Sequence, residues 1–456
     1  DGSDIVGLPG AAADFVVHDA NDGGNNILFH NQISSDGTWR FTDVTGEAGL
    51  DEDNHRWSLA AAWDDFDNDG DQDLYVANDF GRNNLYRNDS GHFVDIAAAA
   101  DAEDSASGMG VTWADFDHDG WMDVYVSNMF SAAGSRVMSQ AAFKPNSAEN
   151  VRTRLRRFAR GNTLLKNLGD STFSDVSEVA GVTMGRWAWS SAFADLNNDG
   201  LQDIVVSGFG YLVGHFSWFE NMADGNFREH ILNDNPGAIS NAVYDFNNDG
   251  LPDIAVLMGQ AREGVFIYYN LGDGNFAESY EIQWPPSYGA AHMSLVDFDG
   301  DGAMDVLTAN GDNADYTPFA KHYHGVRVYL NDGENHFVEA VFYPLNGAYK
   351  ALPVDFDADG DLDIAAISFF PDYEKAPEES FVYLENEGDM AFVAWTFLAA
   401  TDARWLTMDA GDVDGDGDED IVLGAFVRGA SNVPPALEKR WQREATSLLI
   451  LRNKHF

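Results

Sequence analysis

The chain has 456 residues, 45% of them hydrophobic, enough for a large core, and it lacks cysteine, which excludes a disulfide framework and thiol chemistry. Its 76 acidic residues against 26 Lys and Arg give a formal charge of −50, which opposes binding to nucleic acid or anionic membranes. No run is long and apolar enough to span a membrane as a helix.

In chain order, the segment Asp14 to Thr45 comes first. It repeats the strand pattern of Asp73 to Ile96, including an asparagine at Asn31, but no acidic loop precedes it. Ala60-Ala61-Ala62-Trp63 then reads as a strand leading into D-F-D-N-D-G-D-Q-D at Asp65 to Asp73. After it come the strand Leu74-Tyr75-Val76, a strand closed by asparagine (Asn84 to Asn88), and an aromatic-led strand from Phe93. The same order recurs with loops starting at Asp115, Asp195, Asp245, Asp297, Asp355 and Asp412, and the 80-residue gap after Asp115 marks an insertion. Four short antiparallel strands in each unit of about fifty residues predict a β-propeller blade.

The repeated D-x-[DN]-x-D-G-x-x-D pattern supplies side-chain oxygens at positions 1, 3, 5 and 9 and a glycine at 6. That is the chemistry of a calcium loop, since calcium is a hard cation that takes six to eight oxygens. Position 7 offers only its carbonyl, so its side chain is free to vary. The predicted ligands are Asp65, Asp67, Asp69, Asp71 and Asp73; Asp115, Asp117, Asp119, Trp121 and Asp123; and Asp195, Asn197, Asp199, Leu201 and Asp203. Further along they are Asp245, Asn247, Asp249, Leu251 and Asp253; Asp297, Asp299, Asp301, Ala303 and Asp305; Asp355, Asp357, Asp359, Asp361 and Asp363; and Asp412, Asp414, Asp416, Asp418 and Asp420. About seven calcium ions are expected. Asn197 and Asn247 remove a charge at position 3 and should weaken their sites.

The strand-closing asparagine occurs eight times, at Asn31, Asn88, Asn167, Asn221, Asn270, Asn331, Asn386 and Asn453. The expectation is a single all-β propeller over 1–456, with eight blades preferred to seven closed by an N-terminal strand at Trp39 to Val44. The long inserts lie between second and third strands, at about 130–161, 310–325, 370–380 and 426–446. They should crowd the face opposite the calcium loops, where a ligand would bind.

The insert at 130–161 holds a predicted helix, capped by Ser147, striped by Val151, Leu155 and Phe158, and ended by Gly161. Its arginines, Arg152, Arg154, Arg156, Arg157 and Arg160, either pair with carboxylates of the same chain or form an anion or partner site. Arg56-Trp57, Arg186-Trp187 and Arg404-Trp405 each precede a loop by eight or nine residues, with Lys350 and His292 near equivalent places. They are candidates for holding a carboxylated ligand, or else brace the blades. Tyr316, His322 and His324 form a third candidate group, for acid–base or metal chemistry, against ordinary loop residues.

The D-x-D-x-D-G-x-x-D loop between β runs, followed by the asparagine, turn and aromatic, resembles the FG-GAP and VCBS repeats. These are calcium-binding blades of integrin α-subunit propellers and of many secreted bacterial proteins. Phe41 to Leu50 and Ala159 to Asp170 resemble the UnbV and cartilage acidic protein group. The resemblance implies a secreted or periplasmic calcium-binding propeller that binds a glycan or an extracellular protein. Its alternatives are a lyase-like polysaccharide enzyme and a structural subunit of an extracellular assembly. The start at Asp1 reads as a trimmed product, and no catalytic signature is present.

Overall fold

The computed structural model describes residues 19–21, 23–33, 39–140, 142–210, 213–312, 320–412, 417–426, 433–444, 446 and 448–453. Asp414, Asp416 and Tyr316 lie outside the described residues.

Among the described residues the strands form seven blade sheets, each built in sequence order with antiparallel neighbours. Six have four strands and the last has three. Blade 1, for example, runs Trp57–Asp64, Asp73–Asp79, Asn84–Asn88 and Phe93–Asp95. Blades 2 to 6 span residues 108–175, 188–233, 238–283, 290–344 and 348–395, and blade 7 runs Trp405–Gly411, Asp420–Ala425 and Leu448–Leu451. Among the described residues, the expected eighth blade is not formed. The N-terminal repeat makes only a two-stranded sheet, Phe29–Ile33 with Trp39–Asp43. Its sequence carries an asparagine strand and a closing strand but no acidic loop. It therefore lacks the loop that would join the two inner strands of a blade.

Packing divides the chain into two compact units, residues 1–32 with 40–241, and 33–39 with 242–456. In the first, Phe66, Tyr75 and Leu85 of blade 1 meet Val124, Val126 and Leu165 of blade 2 in one apolar cluster. Phe116, Tyr125 and Leu164 of blade 2 meet Ile204, Val206 and Phe219 of blade 3 in another. In the second, Leu307, Val326 and Val328 of blade 5 pack with Ile364, Ala366 and Leu384 of blade 6. The second strand of each blade is the most buried: Asp123–Asn128, Asp203–Gly208 and Asp253–Met258 are buried at every residue. That is why their central residues, 124–126, 204–206 and 254–258, are continuously apolar rather than alternating.

The insert of blade 2 carries two helices, Ala132–Met138 and Glu149–Phe158. The first is not evident in the sequence reading, and its cap, the Ser131 hydroxyl, accepts from the Gly134 amide. The second starts at Glu149 with Ala148 as its cap, without a side-chain cap bond, rather than at Ser147. Leu155 is its buried residue.

Its arginines pair with this chain's own carboxylates. Arg154 meets Asp19 at 2.6 Å, Arg156 meets Glu149 at 3.0 Å and Arg160 meets Asp175 at 2.7 Å. Arg152 also contacts Glu149, and Arg157 joins Asp104 at 2.7 Å and Asp175. Burial raises the Asp175 carboxyl, but Arg157, Ser177 and Arg160 outweigh it and hold its pKa at about 2. Because the folded value lies below that of a free carboxylate, this stabilisation is complete above about pH 4 and is lost as pH falls toward 2. The unfolding free energies of the parent and Asp175→Asn should differ by about 2 kcal/mol near neutral pH, the gap closing as the acid limb is descended. A gap independent of pH would contradict the pairing.

Candidate metal centres

Each acidic loop joins the first two strands of its blade and is folded by its own carboxylates. In blade 1, Asp65 accepts from the amides of Asp69 and Gly70, both at 3.0 Å, and Asp69 accepts from Asp71 at 2.9 Å. Blade 2 repeats this through Asp115 and Asp119. Blade 5 does so through Asp297, which takes Gly300 and Gly302. These bonds wrap the chain so that position 6 is left-handed, with Gly70 at φ 96° and Gly360 at φ 101°. The glycine tolerates this without a Cβ clash.

A second left-handed residue sits at position 4, which the sequence motif leaves unspecified. Asn68, His118, Asn198 and Asn248 lie at φ 55 to 60°, and Ala358 at φ 56°. Asparagine tolerates that region, whereas alanine has no side chain to offset the strain. Ala358→Gly should therefore raise stability by about 0.5–1 kcal/mol in chemical denaturation. A loss of stability would show that Ala358 is unstrained.

The aspartate at position 9 is the hub. Asp73 accepts from the amide of Phe66 at 3.1 Å with one oxygen and from Asn88 at 2.7 Å with the other. The same pair of bonds recurs at Asp123, Asp203, Asp253, Asp305 and Asp363. In blade 7, Asn453 donates to Asp420 at 2.7 Å. All seven aspartates are buried. Burial pushes the carboxyls up, to about 7 at Asp73 and Asp203, about 8 at Asp123 and about 6 at Asp253 and Asp305; the amide bonds offset part of this and neighbouring aspartates add to it.

Ligand oxygens from Asp65, Asp67 and Asp73 converge within 4.8 Å of one another. So do those of Asp115, Asp117 and Asp123, of Asp297, Asp299 and Asp305, and of Asp355, Asp357 and Asp359. One buried oxygen of Asp67 and one of Asp117 have no hydrogen-bond partner. Converging carboxylates with bare oxygens fit a hard divalent cation. In blades 3 and 4, Asn197 and Asn247 instead spend their amide oxygens on the amides of Asp199 and Asp249, both at 3.0 Å.

A model of FG-GAP-like repeats matches residues 65–126, 155–206, 245–308 and 355–423, more than half of the chain. The chain belongs to the FG-GAP-like repeat family. A search of curated proteins finds no match.

The FG-GAP-like blades are also latched to one another, through side chains whose role the sequence reading reduced to closing a strand. The Asn167 side chain of blade 2 donates to the Phe66 carbonyl of the first loop at 2.8 Å. Asn221 of blade 3 reaches the Phe116 carbonyl of the second loop at 2.8 Å, and Asn453 of blade 7 reaches that of Phe356. These three asparagines thus touch their own hub aspartates through the backbone amide and the preceding blade's loop through the side chain. The signal was its eightfold recurrence. Asn221→Ala should cost about 1–3 kcal/mol, since it strands a buried carbonyl. A change below 0.5 kcal/mol in urea unfolding, a limit set at about the lower end for a net hydrogen bond, would contradict the latch.

The predicted ligand residues fall in different environments. Arg56 is buried, donating to the Arg82 carbonyl at 2.7 Å and pairing with Asp53 at 2.8 Å. Its neighbour Trp57 meets Phe80 edge-on. Arg404 is fully buried, bonded to the Phe369 carbonyl at 2.9 Å with its guanidinium 3.6 Å from the Phe369 ring, and Trp405 is buried beside it. Arg186 is half-buried and donates to the Val213 carbonyl at 3.3 Å.

His292 is held low, at about 3, by burial and by Lys350, and Lys350 is itself lowered by burial. His322 and His324 lie in a turn, not on a strand, and flank Tyr323 edge-on. His324 is buried and accepts from the Gly347 amide at 3.3 Å.

Proposed function

We propose that this FG-GAP-like chain is a secreted or periplasmic binding module whose blades are stapled by calcium and whose insert face takes a carboxylated glycan or an acidic surface protein. One observation carries the reading: buried carboxylate oxygens at Asp67 and Asp117 have no partner, inside loops whose other oxygens converge on the same point. Unneutralised, such a cluster repels itself, and a calcium ion with six to eight oxygens relieves it. Cytosolic calcium is too scarce to fill many moderate sites, which favours an extracellular or periplasmic setting.

For the ligand, Arg186 and Trp187 are the best-placed pair. They are consecutive non-glycine residues in the left-handed region, at φ 46° and 69°, a strain typical of functional positions. Trp189 stacks on Phe209 at 4.6 Å close by, an apolar surface for a sugar ring. With both Arg56 and Arg404 buried in their own loops, Arg186 is the arginine of the three with room to reach a ligand.

Calcium at about a hundredfold above its dissociation constant should add roughly 2.7 kcal/mol per filled site. The melting temperature should therefore fall in excess chelator and recover with added calcium, and an unchanged midpoint would sink the calcium reading. On uronate polymers, Arg186→Ala should weaken binding by about 1.5–3 kcal/mol without lowering the melting temperature. Reduced stability with unaltered binding would make Arg186 a brace instead.

A further inference from the structure

The residue just before each third-strand asparagine stands beside the acidic loop, because that asparagine's amide is bonded to the hub aspartate. It varies freely: Arg87, Lys166, Glu220, Tyr269, Leu330, Glu385 and Arg452. In blade 1, Arg87 pairs with Asp89 at 2.9 Å and acts on Asp67 and Asp73 of the loop only through its charge. In blade 2, Lys166 turns into the loop. Its ammonium contacts Asp117 and lies 3.3 Å from Asp119, the carboxylates of positions 3 and 5. The pair is mostly shielded, with Lys166 30% and Asp117 26% exposed. The other oxygen of Asp117 remains buried without a partner, so the lysine satisfies the loop only in part.

We propose that Lys166 is a tethered counter-ion for the second loop, a built-in cation that must leave before a divalent ion can take Asp117 and Asp119. This inference rests on the reading of the loops as divalent-cation sites. Its consequence runs against the count of loop charges. The second loop has a complete carboxylate set, whereas the third and fourth carry Asn197 and Asn247. By charge alone the second should fill before those two. With Lys166 seated on it, the second loop instead fills at higher cation concentration, because each binding event must break a shielded ion pair. The lysine also keeps the empty loop from repelling itself, so blade 2 stays folded when its site is vacant. Blade 2 is then a conditional site among more constant ones, and it is the blade that carries the two-helix insert.

Trp121 gives a direct test. It occupies position 7 of the second loop, where the other loops have Asp71, Leu201, Leu251, Ala303, Asp361 and Asp418. Tryptophan-sensitised terbium emission, taken as the difference between the full chain and its Trp121→Leu variant, therefore reports on this loop. In the parent protein that difference signal should saturate after the bulk of terbium uptake measured by calorimetry. Lys166→Met should move its midpoint to about tenfold lower terbium, equivalent to about 1.4 kcal/mol. Lys166→Gln should shift it in the same direction, and Lys166→Arg should leave it high. Melting of each variant in chelator checks that the fold survives. Terbium uptake with a Trp121 midpoint unchanged in both Lys166→Met and Lys166→Gln overturns the role of Lys166 alone. No terbium uptake by any variant overturns the divalent-cation reading and the inference with it.

Discussion

Everything in a blade hangs on one buried carboxylate. The position 9 aspartate joins the start of its loop, through the position 2 amide, to the third strand, through the asparagine amide, and it sits at the head of the second strand, the most buried of the blade. Three elements are thereby fixed by a single side chain. The cost is a charge held out of water, visible in how far burial raises these carboxyls. Under the proposed reading, a cation shared with positions 1, 3 and 5 would offset that cost.

The asparagine extends the same logic from one blade to the next. Its amide reads the hub of its own blade and its side chain reads the loop of the blade before. From blade 1 to blade 3, loop and latch are thus parts of one polar line, flanked by the aromatic anchors Phe66 and Phe116 pressed into the apolar clusters. Each of these bonds ties one loop to the third strand of the next blade, so the loops are not self-contained.

The repeat, its strand order and the clustering of the loop aspartates were legible because each rests on local pattern: an acidic nonapeptide, β-branched runs and a recurrent asparagine. The count of blades was not. Asn31 satisfies the strand pattern, but a pattern that omits the loop cannot say whether inner strands exist, and among the described residues only two strands form here. Nor could spacing tell that the matched Arg-Trp pairs differ, since burial of Arg56 and Arg404 depends on partners such as Asp53 and Phe369, contributed by loops the motif does not describe. The fate of the helix arginines was likewise a tertiary matter, decided by Asp19, Asp104 and Asp175 arriving from other segments. With so many carboxylates for each arginine, the chain consumes its own positive charge.

The central claim, that a cation shared through the hub aspartates couples neighbouring blades, is tested most directly by amide hydrogen exchange at Asn88, Asn167 and Asn221. In calcium these amides should be among the slowest to exchange. In chelator they should lose protection together with the amides of Phe66 and Phe116, before the apolar second strands do. Protection at these five amides that is the same in calcium and in chelator would contradict the account.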